Sequence, residues 1–385
     1  MTAAQEVLLQ DLCKLRSGYS FKSESWQSEG IPVIQIGNVR DGFIDTSSLK
    51  YVSDEVASAA RRFTLQIGET VIAMTGYVGA VAPVTKRTAG MMLNQRVGRI
   101  EQINESTVVP EFLYWSLRNP AVKAQMVSLA KGSAQPNLSA QDFGRIAVTL
   151  PSLDEQRRIA DVLGALDDLI DTNERLIEQV SKLRSVVVND ALSATDDERP
   201  LSSVARFVNG KNFTKAADGR GRPIVRTPEV RVGAMPSTVR SSVEASQDNL
   251  VNAGELLFVW SGSLCLGRWV QEEALVNQHV FKVVPSAGVP DWLVYSCMEW
   301  QMPWFLGLAA DKATTMGHIQ RAHLDAPVPV LTQEETDRLQ LVIAPLWHSE
   351  LAIAQENQQL RRTRDELLPL LMSGKVRVRP VEGAA

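Results

Sequence analysis

Laid over its first half, the second half of this sequence gives a series of short matches in one order, which restricts the fold to two copies of a single module. LQDLCKLRSGYSFKS, from Leu9 to Ser23, answers LSSVARFVNGKNFTK, from Leu201 to Lys215, at a separation of 192 residues. GIPVIQIGNVRDG, from Gly30 to Gly42, answers GRPIVRTPEVRVG, from Gly221 to Gly233, sharing both outer glycines, the proline and the pairs Val39-Arg40 and Val230-Arg231. GETVIAMTG at Gly68 then matches GELLFVWSG at Gly254, Asn94-Gln95 matches Asn277-Gln278, and VPEFLYWS at Val109 matches VPDWLVYS at Val289.

Within each copy the pattern is strand, turn, strand with glycine and proline punctuation, followed by a helix and a loop. PVIQI, TVIAM and AVAPV read as strands, and PEFLYWSLRNPAVKAQMVSLA as a helix interrupted at Pro120. The fold class is therefore mixed α/β (α+β). Each module is followed by a long amphipathic segment, Asp154 to Ser193 and Glu334 to Gly374. From Ile159, alternating steps of four and three reach Leu163, Leu166, Ile170, Asn173, Ile177, Val180, Arg184, Val187 and Ala191, a coiled-coil seam. The same positions 180 residues on are Leu339, Ile343, Leu346, Glu350, Ile353, Asn357, Leu360, Arg364, Leu367 and Leu371.

The two helices are each other's nearest partners, and an antiparallel, symmetric pairing sets Asn173 against Asn357 as a register-fixing amide pair. The alternative is that both asparagines face solvent while the helices pack on another subunit. A helix of some 38 residues makes a rod of roughly 57 Å, and antiparallel pairing gives one polypeptide a pseudo-twofold axis. Pro345, matching Ala165 beside Gly164, predicts a kink or restart in both helices, and Gly374 a C-cap. The expected domains are a first module at 1–150, a central helix at 151–198, a second module at 199–331, a second helix at 332–374 and a tail at 375–385.

Charge and composition exclude more than they assign. Forty basic and forty-four acidic groups leave a net charge of −4, but the segments differ. Residues 1–150 carry 15 basic and 13 acidic groups, for +2, and 199–330 carry 13 and 11, again +2. The central helix has 5 against 12, for −7, and the stretch from 331 has 7 against 8, for −1. Nucleic acid is repelled by the central helix and mildly favoured by the modules. Cys13, Cys265 and Cys297 are too scattered for a disulfide framework or a metal site, which fits a reducing cytoplasm, and no apolar run is long enough for a membrane span. GYVGA at Gly76 lies between strand-like runs and reads as a hairpin turn, Asn119-Pro120-Ala121 is no amino-methyltransferase motif, and Ser373-Gly374-Lys375 is no phosphate loop. His279, His318, His323 and His348 show no metal-ligand spacing. No metal site and no catalytic chemistry is expected of this chain.

The run from Lys131 to Arg184, KGSAQPNLSAQDFGRIAVTLPSLDEQRRIADVLGALDDLIDTNERLIEQVSKLR, resembles the junction of a target recognition domain with a conserved helix in specificity subunits of type I restriction-modification systems. The loop Gly132 to Leu138, Pro151 at the strand end and Glu155-Gln156 opening the helix carry the resemblance. GETVIAMTGYVGAVAPV and Asn94-Gln95 extend it upstream, and the duplication spreads it over nearly the whole chain. The second copy departs from it, with KATTMGHIQ in place of KGSAQPNLS and Glu335-Thr336 in place of Glu-Gln.

The resemblance implies a non-catalytic subunit that reads double-stranded DNA, each recognition domain taking one half of a bipartite target. The paired helices would fix the unread gap and dock two adenine-N6 methyltransferase subunits, with Glu155 and Gln156 as docking residues, and motor-nuclease subunits would complete the complex. S-adenosylmethionine, ATP and magnesium belong to those partners; no cofactor is expected in this chain. The alternative is a stand-alone DNA-binding or scaffold protein of the same fold.

Phosphate contact calls for cations, hydroxyls and amides, and base reading for bidentate side chains. In the first module Lys22, Arg40, Tyr77, Lys131, Ser133, Gln135 and Asn137 answer to that description, and in the second Lys211, Arg231, Ser263, Lys312, Thr314 and His318. A solvated loop is the alternative for these positions. Asn94-Gln95 and Asn277-Gln278, between apolar strands, read as turn or sheet-edge residues, and Trp260, Trp269, Trp292, Trp300 and Trp304 as core.

Overall fold

The computed structural model describes residues 5–132, 135–235, 237–310 and 317–379. The chain folds as two units, Met1–Leu169 with Leu360–Ala385, and Ile170–Gln359. Both long helices are therefore divided between the units, so each unit holds one module with a part of each helix.

The same sheet is built twice. In the first unit Lys14–Ser17 (β1), Thr70–Ala73 (β2), Val81–Pro83 (β3) and Val97–Glu101 (β4) form an antiparallel sheet in the order β1-β4-β2-β3. In the second, Ala205–Asn209 (β5), Leu256–Val259 (β6), Cys265–Arg268 (β7) and Val280–Pro285 (β8) run in the order β5-β8-β6-β7. A smaller sheet accompanies each: Ile31–Ile34 pairs antiparallel with Lys50–Val52 and parallel with Met92–Leu93, as Arg222–Val225 does with Arg240–Ser241 and Ala274–Val276. The two ends of each module meet in a strand pair, Gln5–Leu8 with Ala147–Leu150 and Glu198–Pro200 with Pro327–Pro329.

The apolar runs are uninterrupted because both faces of each sheet are covered. In β2, Ile72 enters one core with Phe112, Trp115 and Ile159, while Val71 and Ala73 enter another with Val33 and Leu93. In β6, Leu256 and Phe258 join Trp292 and Ile343, and Leu257 and Val259 join Trp269. Gly76 and Gly79, at φ of 72° and 86°, close the turn between β2 and β3 that GYVGA predicts.

The helices are Pro110–Arg118 (α1), Pro120–Leu129 (α2), Leu153–Ser193 (α3), Asp291–Ala310 (α4) and Gln333–Met372 (α5). The break at Pro120 is present, with the Asn119 side chain accepting from the Ala121 amide at 3.2 Å. The restart predicted at Pro345 is absent. The amide that proline lacks would have bonded to the carbonyl of Leu341, a residue 79% exposed, so the unfilled acceptor lies on the solvent side and α5 continues. Gly374, at φ 70°, follows the end of α5, its amide donating to the Leu371 carbonyl at 3.0 Å.

Inside each unit α3 and α5 run antiparallel. In the first, Ile159 and Leu163 pack with Leu368, Leu371 and Met372, and Asp167 pairs with Arg364. In the second, Val188 and Leu192 pack with Leu339, Ile343 and Trp347, and Arg184 donates to Glu350 at 3.1 Å. Along α3 the most buried line moves by one residue, from Ile159 and Leu163 to Val188 and Leu192, while the expected Val187 and Ala191 pack half-buried against the same core. A straight helix drifts about 20° per heptad, roughly one residue over four.

Asn173 and Asn357 are buried at the expected crossing, but they do not form the predicted amide pair. Asn173 donates to Glu356 at 3.1 Å, and Asn357 donates to the Ile170 carbonyl at 3.2 Å while its own oxygen has no partner. The neighbouring carboxylate accepts a charge-assisted bond that a neutral amide cannot match.

Buried arginines join each module to its helices. Arg118 on α1 reaches Asp167 on α3 at 3.4 Å and Asp41 at 3.7 Å, and Arg184 on α3 meets Ser296 and Glu299 on α4, stacking over Tyr295 and Trp347. Burial pushes the Glu299 and Glu350 carboxyls up, against the pull of Arg184.

Two stability outcomes are expected. Asn357→Leu removes an unpaired buried acceptor from an apolar seam and is expected to raise the thermal midpoint by about 2–4 °C, with a fall as the contrary result. A carboxyl that binds its proton more tightly in the folded state favours that state in acid, and the advantage is lost as the pH climbs through the raised folded value. Glu299→Gln imitates the protonated form, so the variant is expected to melt a few degrees above the wild type at pH 7.5 and alongside it at pH 4. An equal difference at both pH values would exclude the charge as the cause.

Candidate nucleic-acid interface

In the first module three loops are stitched along one edge by backbone hydrogen bonds. The Met74 amide donates to the Arg96 carbonyl at 3.2 Å, and the Leu138 amide donates to the Met74 carbonyl at 2.8 Å. The Gly76 amide donates to the Pro136 carbonyl at 3.2 Å, and the Thr75 hydroxyl donates to Asn137 Oδ1 at 2.8 Å. The edge thus carries Arg96, Tyr77 and Asn137 together. Arg40 joins it across the Tyr77 ring at 5.0 Å, a contact worth about 0.5–1 kcal/mol where it is exposed.

Beside this edge lies a concavity of 590 Å³ lined by Trp26, Gln35, Arg40, Gln95 and Arg96 among others, with Asp45 as its carboxylate. Asp45 accepts from the Ser47 amide at 2.9 Å, and its hydrogen bonds with Ser47, helped by Arg40, hold it below the usual carboxylate range. Gln95 Oε1 is enclosed there without a hydrogen-bond partner.

The second module repeats the stitching. The Trp260 amide donates to the His279 carbonyl at 3.2 Å, the Ile319 amide to the Trp260 carbonyl at 3.1 Å, and the Gly262 amide to the Gly317 carbonyl at 2.8 Å. His318 therefore stands where Asn137 stands, and His279 where Arg96 stands. Arg231 Nη2 donates to the Ser263 carbonyl at 3.4 Å, closing the same Val-Arg turn onto the same loop as Arg40. Each turn is fixed by a buried polar side chain of different chemistry. Asn38 accepts from the Gln35 amide at 2.9 Å, and Glu229 accepts from the Arg226 amide at 3.1 Å and from its guanidinium.

Several predicted residues fall on this edge and others do not. In the first module Tyr77 is 63% exposed, with Gln135 and Asn137 exposed too; in the second Arg231 and Ser263 are exposed and His318 is half-buried. Lys131 is exposed, and its ammonium lies 3.6 Å from Asp142. Lys22 is exposed next to Glu24 at 3.7 Å, a pair worth little in water. Lys211 pairs with Asn277 as Tyr19 pairs with Asn94, the counterparts that the 192-residue separation gives. Ser133, Lys312 and Thr314 lie outside the described residues.

Gln156 is corrected from a docking residue to an internal one. It is 1% exposed, donates to the carbonyls of Pro151 and Thr107, and accepts from the Val109 amide at 2.9 Å, tying α1 to the start of α3. Glu155 sits three residues after Ser152, whose hydroxyl accepts its amide at 3.4 Å, just as Thr332 accepts from Glu335 at 3.3 Å.

Asn94 and Asn277 are turn residues, as read: their carbonyls accept from Val97 and Val280, and their amides donate to Ile34 and Val225. Trp269 and Trp292 are core and Trp260 packs half-buried against it, whereas Trp300 and Trp304 are exposed. Sequence reasoning missed Arg96 and Trp26 as lining residues. The signal for Arg96 was available, because it follows the matched Asn-Gln pair directly.

Residues 2–182, which span the first module and much of α3, match the family described as the type I restriction modification DNA specificity domain. The resemblance to type I specificity subunits extends further. The MjaVIII specificity subunit of Methanocaldococcus jannaschii is 25% identical over 190 residues, 48% of this chain and 44% of that one. The EcoKI specificity subunit of Escherichia coli K12 is 24% identical over 287 residues, 64% and 59% of the two chains, so the chain spans about two fifths to three fifths of these relatives. The S subunit of a Type-I restriction-modification system from M. genitalium shares the fold, with a TM-score of 0.56 at 14% identity over 96% of both chains.

The Asn turns are seated on glycines. A Cβ on Gly18 would stand 2.3 Å from the Leu93 carbonyl oxygen, and one on Gly210 would stand 2.2 Å from that of Asn277. Gly18→Ala and Gly210→Ala are each expected to cost about 3 kcal/mol or more in chemical unfolding, because the obstacle is backbone. A loss under about 1 kcal/mol at either would show that the turn is not held there.

Proposed function

We propose that this chain is the specificity subunit of a type I restriction-modification system. Its two recognition modules each read one half of a split double-stranded DNA target, and α3 with α5 sets the unread gap. The observation that carries the reading is the pair of similarly stitched edges, each presenting an arginine and an amide- or imidazole-bearing loop, in a chain whose first half matches the DNA specificity domain family. Two edges of one construction with different side chains suit an asymmetric target whose halves differ. The chain itself performs no chemistry in this reading. Two adenine-N6 methyltransferase subunits supply methyl transfer from S-adenosylmethionine, and motor-nuclease subunits use ATP and magnesium, in the cytoplasm.

For the docking of a methyltransferase, α3 offers an apolar stripe outside its own seam. Leu176 and Leu183 stand seven residues apart with Val186 three further on, and all are exposed. That spacing is a second heptad edge suited to a partner helix. Co-expression with the host's methyltransferase subunits is expected to yield a stable assembly, and sequencing of methylated bases in the host is expected to lose one split adenine motif when this gene is deleted. A free chain with an unchanged methylome favours the stand-alone scaffold. Leu176→Asp with Leu183→Asp is expected to abolish co-purification without shifting the melting of the free chain, whereas undiminished co-purification would place the docking surface elsewhere.

A further inference from the structure

We infer that Arg96 and His279, which occupy one structural position in the two modules, are specificity-determining residues, each for the half-site its own module faces. The inference rests on the reading proposed above and goes beyond it in assigning the residues.

The position is defined by backbone, not by side-chain likeness. The carbonyl of Arg96 receives the amide of Met74, whose own carbonyl receives Leu138; the carbonyl of His279 receives Trp260, whose own carbonyl receives Ile319. The following residue is anchored in both modules as well, Val97 to the Asn94 carbonyl at 2.9 Å and Val280 to that of Asn277 at 3.0 Å. Each side chain therefore leaves a backbone fixed on a buried sheet, immediately before β4 or β8, and stands on the same edge as the arginine-bearing turn and the loop that ends in Asn137 or His318. A reading group gains precision from such a mount, because little of its freedom remains to be lost on binding.

The side chains themselves are available. Arg96 is exposed, and among the described residues no ion pair holds its guanidinium, in contrast with the pairs of Arg99 and Arg118 in the same unit. It borders the concavity that also holds Arg40, Gln35 and the Gln95 amide with its unpartnered oxygen, a set of donors and acceptors facing one space. His279 is exposed too, its ring 5.7 Å from that of Trp260 and its Nε2 3.2 Å from the Gln278 side-chain amide.

The two groups present different codes. A guanidinium offers a planar fork of donors that matches the O6 and N7 acceptors of guanine, while an imidazole offers one group per edge and cannot form that fork. Duplication of one edge with Arg at this place in one copy and His in the other gives two readers with different preferences from a single design.

The test is selection and sequencing of a random pool of DNA duplexes on the full-length chain, wild type against Arg96→His and His279→Arg. Arg96→His, which installs the other module's side chain, is expected to shift base preference about tenfold or more at a position in one half of the selected motif, leaving the other half and the gap untouched. His279→Arg is expected to do the same in the opposite half. Melting curves should match the wild type, and Arg96→Gln provides a second variant should Arg96→His fail to fold. An unchanged motif overturns the inference, as does a uniform loss of affinity with the motif intact, which would make Arg96 a phosphate contact. If the wild type itself selects no motif, the proposed function fails and takes the inference with it.

Discussion

Burial of arginine where a recognition module meets its helices is the interaction on which each unit depends. Arg184 is almost wholly enclosed, yet it has two carboxylates, a hydroxyl and two aromatic faces around it. Arg118 is enclosed in the same way by Asp41, Asp167, Tyr114 and Trp115. Removing the arginine of such a group leaves its carboxylates uncompensated in a dry place, a loss of about 3–5 kcal/mol, whereas a different docking angle would lose every partner at once. The arrangement therefore selects one geometry between module and helices more than it deepens the well.

Much of this was legible in the sequence because it follows from period and punctuation. The seam from Ile159, the break at Pro120 and the glycine turn at Gly76 depend on local geometry that a single residue type imposes. What escaped depends on three-dimensional neighbours. The slide from Val187 to Val188 comes from a straight helix failing to keep a 3.5-residue period. Asn173 was read against Asn357, but a carboxylate one residue away, Glu356, is the stronger acceptor. Gln156 looked like a surface signature of the helix start and is instead fully engaged with backbone groups from two other segments.

The candidate edge shows the same division. Arg40, Tyr77, Asn137, Arg231, Ser263 and His318 were chosen by chemistry and repeat position, and the structure brings each onto an edge with its fellows. The exchange of Asn38 for Glu229 keeps the cap on the first amide while the segment changes from a 3-10 turn, Ile36–Asn38, to a short helix, Thr227–Val232: either side chain can cap that amide, and Arg226 accompanies the carboxylate.

The strand pairs at the module ends have a last consequence. Gln5–Leu8 lies against Ala147–Leu150, and Glu198–Pro200 against Pro327–Pro329, so each recognition module enters and leaves through one clasp. A segment whose two ends are adjacent can be cut out and replaced by another of the same construction without rethreading the chain. Within this architecture one recombination event exchanges a whole module, and the paired helices need not change to follow it.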